Sequence, residues 1–556
     1  MKNNVFLNVL KKYGGILILV LVLVVQIVSL VYVGTQKAGL HIDENYSYIL
    51  SNSYDAECVM NATELWNTWL DGDAFHKLLS VEEGERFAYL SVYKNNAHDA
   101  HPPLFYFLLH TLCSFFPGDS SPWIGIIMNI IFAVLTQIVL YKLSYEITGS
   151  SLWSVVPVVL YGSMRAFVDT TVFIRMYSLM TLLTVLLLWQ HYRLLTREKK
   201  YTPIIWCGVL TFLGTFTHYY FAIFAFFLAA ATCIFLLIRK AWKHLSLYAG
   251  SMLSGVIFVF VIYPAGISQI LGSETNNVGN EVSSNMFDFS EWGSAISTMG
   301  KSLFKYMFIE PKSWYPIVIA LILISALVLV ILRFAKKRAE DANESSNEKA
   351  KRIFLACVIL AILVALAFVT ISHTSGEFLN IRYLYNLYPV IALILGLIIW
   401  LLAGFLKFDK RVLIFALITV CLINTATIAK ADMCSYLFTS RTVKNSKIIQ
   451  ACEDKPLMLV NTGVNHQPTA LLDIILESDE IYLANYNEMG SMDNALSQVD
   501  CTNGVVYIVL TDTYWSDGFD GEELMDEIIS QSEILDSYEK FGTSEFSTVY
   551  IAYPQK

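Results

Sequence analysis

The strongest constraint on the fold is a series of long apolar blocks that recur through most of the chain. A helix needs about 20 apolar residues to cross the roughly 30 Å of hydrocarbon in a bilayer. The chain is 55% hydrophobic, and the apolar residues are concentrated in these blocks. The sequence therefore predicts an α-helical polytopic membrane protein with about eleven transmembrane helices, at 15–33, 123–141, 152–168, 178–195, 203–218, 219–238, 246–264, 315–333, 353–371, 388–406 and 412–429.

Lysine and arginine predict how these helices are oriented, because they are enriched in cytoplasmic loops. With eleven spans and a cytoplasmic N-terminus, every large basic cluster falls in the cytoplasm. The apolar segment 101–116 would reverse this pattern if it spanned, so we expect a helix lying at the outer surface, opened by Pro102 and Pro103. The first block lacks a small-residue cleavage site, and we expect it to be retained. These patterns predict a multi-pass plasma-membrane protein with its C-terminal region outside.

Three regions are then extracytoplasmic: a first outer loop at 34–118 with surface helices, a second at 266–312, and the chain from 432 onward. Residues 451–556 carry 20 acidic and 3 basic residues, which argues against nucleic acid as a partner. The predicted domains are therefore a transmembrane domain at 1–431 and a small acidic α/β domain at 432–556. Its expected strands lie within 456–463, 480–485, 504–512 and 546–553.

The C-terminal region contains no Gly-rich phosphate loop and no nucleophile elbow, so we expect no chemistry in it. Its acidity and its outer position suggest a role in acceptor selection. Cys452 and Cys501 are candidates for a disulfide if the outer compartment is oxidising, and the sequence leaves this open.

Two adjacent carboxylates, Asp43 and Glu44, follow a few residues after the first block. Acidic residues in a loop are usually solvated or cap a helix, and Asn45 or Ser47 would serve equally well as the cap. The position of the pair just beyond the bilayer favours chemistry instead, because the head group of a lipid-linked substrate would lie at that level.

Other polar residues are expected at the same outer level. Two arginines are unusual there, because basic residues favour the cytoplasmic side, although an interfacial arginine can also simply extend toward water. Arginines beside tyrosine and histidine donors are suited to an anionic head group. The candidate substrate-binding residues are His101, Arg175, Tyr177, His218, Tyr219, Arg382 and Tyr383.

The segment from His98 to His101 also has spacing that would suit a metal ion. One His-x-x-His pair with a single aspartate, Asp99, is weak support for ligation, so we expect neither a metal nor another cofactor.

Five short motifs together resemble the superfamily C (GT-C) glycosyltransferases, near the protein O-mannosyltransferase and aminoarabinose transferase branch. The resemblance covers roughly the first 430 residues. The motifs are DE at 43–44, HPPL at 101–104, IRMYSL at 174–179, THYY at 217–220 and RYLYNLYP at 382–389. The resemblance implies a polyprenyl-phosphate sugar donor, an extracytoplasmic acceptor and Asp43 as general base. Glu44 would orient the acceptor or substitute in part, while Arg175 and Arg382 would bind the lipid phosphate.

Some similar enzymes carry a second acid near the start of the fourth span, where this chain has Tyr177. Asp169 lies earlier, so we expect a metal-independent reaction without a second carboxylate. Two other classes stay open, a lipid-glycan transporter or flippase and a non-catalytic envelope scaffold. Transporters often show internal repeats and charges at the bilayer midplane, whereas this sequence shows neither.

Overall fold

The computed structural model describes residues 2–54, 65–196, 201–272, 381–406, 434–461, 467–485, 492–510, 521–544 and 547–555, with scattered residues within 280–307, 359–371 and 415–425. These residues form two compact units, each of which collects separate stretches of the chain. Unit 1 contains residues 1–35, 97–105 and 126–434. Unit 2 contains residues 36–96, 106–125 and 435–556.

Long apolar helices dominate unit 1. Pro203 stands in the first turn of the helix Thr202–Thr215, where a missing N–H costs nothing. The helices are α1 (Lys2–Gly34), α6 (Pro122–Thr148), α7 (Val155–Gly162), α8 (Arg165–Val172), α9 (Tyr177–Thr196), α10 (Thr202–Thr215), α11 (Tyr219–Ile238), α12 (Trp242–Ile262), α13 (Ala265–Leu271) and α14 (Tyr388–Leu406), with a 3₁₀ helix at Ile381–Leu387 before α14.

Helices α7 and α8 form a pair bent by 68°. Just before the bend, Gly162 packs against the side-chain amides of Gln26 and Gln137, which hydrogen-bond to each other at 2.7 Å. A Cβ at Gly162 would overlap the ends of both glutamine side chains, so an alanine there would displace the hydrogen-bonded amides. This bend separates the segment predicted as one span at 152–168 into two short helices.

Five described helices are long and apolar enough to cross a membrane, or six if α7 and α8 count as one broken span. They are Gly14–Gly34, Pro122–Thr148, Tyr219–Ile238, Trp242–Ile262 and Ile381–Gly404. The chain is therefore a polytopic membrane protein. The total of eleven spans stays a prediction, because the block at 315–333 lies outside the described residues, as do most of the blocks at 353–371 and 412–429.

Unit 2 combines short helices with one mixed sheet. Its helices are α2 (Ile42–Asn52), α3 (Gly72–Leu79), α4 (Tyr89–Ala97), α5 (Leu104–Cys113), α15 (Thr439–Cys452), α16 (Leu472–Ile475), α17 (Met492–Leu496) and α18 (Gly521–Gln531), and α4 and α5 extend slightly into unit 1. Short 3₁₀ helices lie at Glu83–Glu85 and Gln467–Leu471. Helix α5 covers part of the segment predicted as a surface helix at 101–116.

The sheet has six strands in the order β1-β3-β2-β4-β6-β5. Strands β2 and β3, and β2 and β4, are parallel, while the other neighbours are antiparallel. The strands are β1 (Trp69–Leu70), β2 (Leu457–Asn461), β3 (Ile481–Asn485), β4 (Val505–Leu510), β5 (Leu535–Ser544) and β6 (Ser547–Pro554). Every residue of β4 is buried, as expected for a central strand covered on both faces.

Strand β1 comes from the first outer loop, although the rest of the sheet comes from the C-terminal region. Trp69 pairs with Tyr482 in the ladder, and its indole N–H donates to the carbonyl of Ala495 at 2.9 Å. Residues of the first outer loop and the C-terminal region therefore share one sheet.

The four strands predicted in the C-terminal region coincide with β2, β3, β4 and β6. Strand β5 was not predicted, because its residues include few β-branched side chains and most of them are exposed. Cys452 and Cys501 are both buried and both free, so the disulfide left open by the sequence is not formed.

Candidate functional site

Four connecting segments of unit 1 converge on one cluster of polar and aromatic side chains. They are the chain before α5, the turn between α8 and α9, the turn between α10 and α11, and the 3₁₀ helix before α14. The residues they contribute, here called the His218 cluster, are His101, Arg175, Tyr177, His218, Arg382 and Tyr383.

Ring contacts hold the His218 cluster together. The centroid of the His218 ring lies 5.7 Å from that of His101, 5.6 Å from that of Tyr177 and 6.0 Å from that of Tyr383. Tyr177 and Tyr383 are 6.2 Å apart in an edge-to-face arrangement, a preferred geometry for aromatic pairs. Tyr220 closes the group at 5.0 Å from Tyr383.

Both predicted arginines lie at this cluster. Arg175 is only 4% exposed, and the guanidinium of Arg382 lies 5.4 Å from the centroid of Tyr383 and 6.0 Å from that of Phe173. The positive charges of Arg175 and Arg382 both act on His218. One buried guanidinium group, that of Arg175, and one partly buried group, that of Arg382, create a positive environment around His218.

His218 is a neutral hydrogen-bond donor in this environment. Burial, together with the charges of His101, Arg175 and Arg382, holds its pKa well below the ordinary value. Its Nδ1 accepts the backbone N–H of Tyr220 at 3.1 Å, so the neutral ring carries its proton on Nε2. Among the described residues, this buried Nε2 has no hydrogen-bond partner.

Asp99 and His101 form a linked pair at the edge of the cluster. Asp99 Oδ2 lies 3.0 Å from His101 Nδ1. Burial would raise the pKa of Asp99, but the His101 hydrogen bond and charge, with the charge of Arg175, hold it below its ordinary value. The ionised carboxylate therefore orients the His101 ring, whose other side faces His218.

Tyr219 lies beside the cluster. Its hydroxyl donates to Gln269 Oε1 at 2.5 Å, and Gln269 Nε2 donates to the carbonyl of Asp99 at 2.6 Å. Tyr219 thus supports the backbone that carries the Asp99–His101 pair.

The positive cluster can bind an anion. Arginine, tyrosine and neutral histidine donate hydrogen bonds, and two cationic groups favour a phosphate over a neutral ligand. Among the described residues, no group of three or more His, Cys, Asp and Glu side chains is arranged to hold a metal ion. Metal independence stays a prediction.

The acidic pair lies in unit 2, at the start of α2. The helix is capped by His41, whose Nδ1 accepts the Asp43 N–H at 3.1 Å, rather than by Asn45 or Ser47. Glu44 makes the reciprocal hydrogen bond, since its Oε2 accepts the His41 N–H at 2.8 Å, and this completes a capping box. The Asp43 side chain is 22% exposed, whereas that of Glu44 is fully buried.

The sequence identified most of the cluster but not all of its supports. No sequence pattern indicated Gln269 or Phe173, because each occurs in an apolar or helical stretch without a motif. Tyr220 and Tyr385 occur within the THYY and RYLYNLYP motifs, and Tyr385 lies 6.0 Å from Tyr177. The catalytic roles of Asp43 and Glu44 stay predictions.

Fold and site define a polytopic membrane protein with a positively charged cluster where four connecting segments meet. Residues 100–267 match the family model described as dolichyl-phosphate-mannose-protein mannosyltransferase. A crystal structure of ArnT from Cupriavidus metallidurans bound to undecaprenyl phosphate is 12% identical, covers 97% of this chain and 98% of its own, and superposes with a TM-score of 0.50. AglB from Archaeoglobus fulgidus, an archaeal oligosaccharyltransferase, is 11% identical over 90% of this chain and 70% of its own, with a TM-score of 0.43. No curated protein sequence matches the chain.

The family-model match and the ArnT structure confirm the resemblance drawn from the five motifs. The chain has the fold of the GT-C polytopic glycosyltransferases. The matched range begins one residue before the HPPL motif and includes IRMYSL and THYY, so three of the four segments that build the His218 cluster lie within it.

Proposed function

We propose that the protein is a membrane glycosyltransferase that moves a sugar from a polyprenyl-phosphate donor to an extracytoplasmic acceptor. The observation that carries this proposal is the convergence of Arg175, Arg382 and the donor N–H of His218 on one partly buried cluster. The donor class is further supported by the undecaprenyl phosphate bound in the ArnT structure. The acceptor is a cell-envelope glycan, lipid or protein.

The donor's phosphate is the leaving group of the reaction. As the bond between the anomeric carbon and the phosphate oxygen breaks, negative charge grows on the phosphate. Arg175 and Arg382 stabilise that charge, and positioned donors of this kind act most strongly away from water. Tyr177, His218 and Tyr383 add neutral hydrogen bonds, and His101 is oriented by Asp99 to join them.

The acceptor hydroxyl attacks the anomeric carbon, and Asp43 takes its proton as general base. One new carbon–oxygen bond replaces the bond to phosphate, so the reaction needs no oxidant or reductant. General-base catalysis of this kind contributes about 10²–10⁴-fold to a rate. Asp43 receives this role from the resemblance and from its partly exposed carboxylate.

The protein is proposed to lie in the plasma membrane with its N-terminus in the cytoplasm. The basic clusters of the predicted cytoplasmic loops support this orientation. The first outer loop and the acidic C-terminal region would then both face the acceptor.

The test is sugar transfer by the full-length protein reconstituted in liposomes. Radiolabelled undecaprenyl-phosphate hexoses are supplied with an envelope extract, and a nucleotide sugar serves as the control donor. Label transfer from the lipid donor alone supports the proposal. If the label crosses the membrane but is not transferred, the protein is a transporter and the proposal is wrong. If neither event occurs with any lipid donor, the enzyme proposal is rejected in favour of a scaffold.

A further inference from the structure

The two members of the acidic pair have different surroundings. Glu44 is completely buried, and the same oxygen that caps α2 also accepts a hydrogen bond from Lys37 Nζ at 2.9 Å. Lys37 is only 1% exposed. Glu44 is therefore held in a buried ion pair, while the neighbouring Asp43 carboxylate reaches solvent.

The ion pair is anchored to the start of the C-terminal region. Lys37 Nζ donates a second hydrogen bond, to the carbonyl of Tyr436 at 2.7 Å, and lies 5.5 Å from the ring centroid of Phe438. The N–H of Ala38 donates to the carbonyl of Leu437 at 2.8 Å. Lys37 and the residue that follows it are thus tied to residues 436–438.

The N-cap residue His41 and the preceding Leu40 also contact the start of the C-terminal region. The His41 ring packs against Phe438, with centroids 5.9 Å apart. Arg441 lies 4.6 Å from the Phe438 ring and donates to the carbonyl of Leu40. Phe438 has a backbone φ of 56°, a region that side-chain-bearing residues rarely adopt. Residues 436–441, here called the anchor segment, therefore contact residues 37–41, which lead into α2.

A buried ion pair of this kind is better suited to fixing a geometry than to adding stability. The attraction between its charges roughly offsets their lost hydration, whereas removing one partner leaves a buried charge unpaired. Lys37 and Glu44 thus couple the first turn of α2 to the anchor segment at little net cost.

We propose that Glu44 and Lys37 are positioning residues that lock the first turn of α2 onto the anchor segment and so fix the carboxylate of Asp43. This inference rests on the proposed function for the role of Asp43. It gives the C-terminal region a part in the reaction, through the geometry of the base. It also gives the two acids different roles, because Glu44 then neither binds the acceptor nor replaces Asp43.

A double-mutant cycle tests the proposal through turnover. Lys37→Met and Glu44→Gln each lower kcat about 100-fold with little change in KM, because a misplaced base slows the chemical step. The double variant lacks the same ion pair and should have a kcat close to that of either single variant, so that the two effects are far from additive. Lys37→Arg keeps the charge and retains most of the activity. If the double variant is as slow as the product of the single effects, or if Glu44→Gln raises KM for the acceptor alone, the proposal is overturned.

Hydrogen exchange tests the anchoring without any turnover. The amides of residues 41–46 exchange faster in Lys37→Met than in the wild type. The control is Lys540→Met, which breaks the exposed pair between Lys540 and Glu522 and leaves these amides unchanged. Unchanged exchange in Lys37→Met overturns the proposal. Absence of sugar transfer by the wild type would reject the proposed function instead, while the exchange result would still stand.

Discussion

At the residue scale, the proposed binding of an anion depends on which side chains of the His218 cluster are positioned to donate hydrogen bonds. His218 illustrates how local geometry decides this. Its Nδ1 is occupied by the N–H of Tyr220, and two arginine charges oppose its protonation. The sequence predicted His218 as a donor from its place in THYY, but its protonation state follows only from the packing of distant segments.

The first prediction concerns the charges of the cluster. Arg175→Gln and Arg382→Gln should each weaken binding of undecaprenyl phosphate by about 10- to 100-fold, because a hydrogen bond to a charged group contributes about 1.5–3 kcal/mol. Binding of the lipid to the purified protein measures the effect. The control Arg193→Gln alters the pair with Glu146 in unit 1, away from the cluster, and should leave binding unchanged. Equal binding by all three variants would contradict the assignment.

The second prediction follows from the low pKa of His218. A neutral His218 stays neutral between about pH 6 and about pH 8, since its pKa lies well below the ordinary value. His218→Phe should therefore weaken lipid-phosphate binding by the same factor, about 5- to 10-fold for one hydrogen bond, at both pH values. If His218 were a cation, its loss would cost clearly more at the lower pH, and that result would refute the neutral donor.

At the element scale, the structure shows which sequence patterns predict helices and strands well and which do not. Apolar blocks such as the one in α11 predicted helices closely, because burial in hydrocarbon requires long apolar helices with internal hydrogen bonds. Strands β2, β3, β4 and β6 were predicted from their β-branched and aromatic residues. Strand β1 was not, because two residues of a distant loop provide no periodicity, and its pairing depends on tertiary structure.

The bend between α7 and α8 was also absent from the prediction, since an apolar run does not reveal where a helix breaks. Gly162→Ala should lower the stability of the folded protein by about 1–3 kcal/mol, because the added Cβ meets the amides of Gln26 and Gln137. Thermal unfolding in detergent measures it. Gly250→Ala, within α12, is the matched control, because its Cβ would meet no atom within 4 Å. Equal losses in both variants would show that the contact at Gly162 is unimportant.

At the scale of the whole molecule, the division of the chain differs from its order in sequence. Residues 36–96, which were predicted to lie in the first outer loop and include Asp43, share unit 2 and one sheet with the C-terminal region. The sequence predicted two outer regions of different composition but contained nothing to indicate that they pair. By contrast, short motifs on the same predicted side indicated seven residues, of which six lie in the His218 cluster and Tyr219 lies beside it; their roles in binding stay predictions.

Removal of the C-terminal region should therefore disturb the first outer loop. A chain ending at 434 loses the β3 partner of β1 and the carbonyl of Ala495 that accepts from Trp69. Residues 42–79 should then be cleaved by protease much faster than in the full-length protein. Trp69→Phe, which removes the indole donor and part of the ring but keeps the strand pairing, is the milder comparison and should cost about 1–3 kcal/mol. Equal resistance of the truncated chain would show that the loop folds without the sheet.

The role of Asp43 as general base is tested most directly by comparing the wild type with Asp43→Asn in reconstituted membranes. Two quantities are measured, sugar transfer from undecaprenyl-phosphate hexose and binding of the lipid donor. We expect Asp43→Asn to bind the donor as the wild type does, because Arg175 and Arg382 are unchanged. Its kcat should fall about 10²–10⁴-fold, because the general base is lost. Transfer at the wild-type rate by Asp43→Asn would contradict the proposal that Asp43 is the general base, since this residue would then take no part in the reaction.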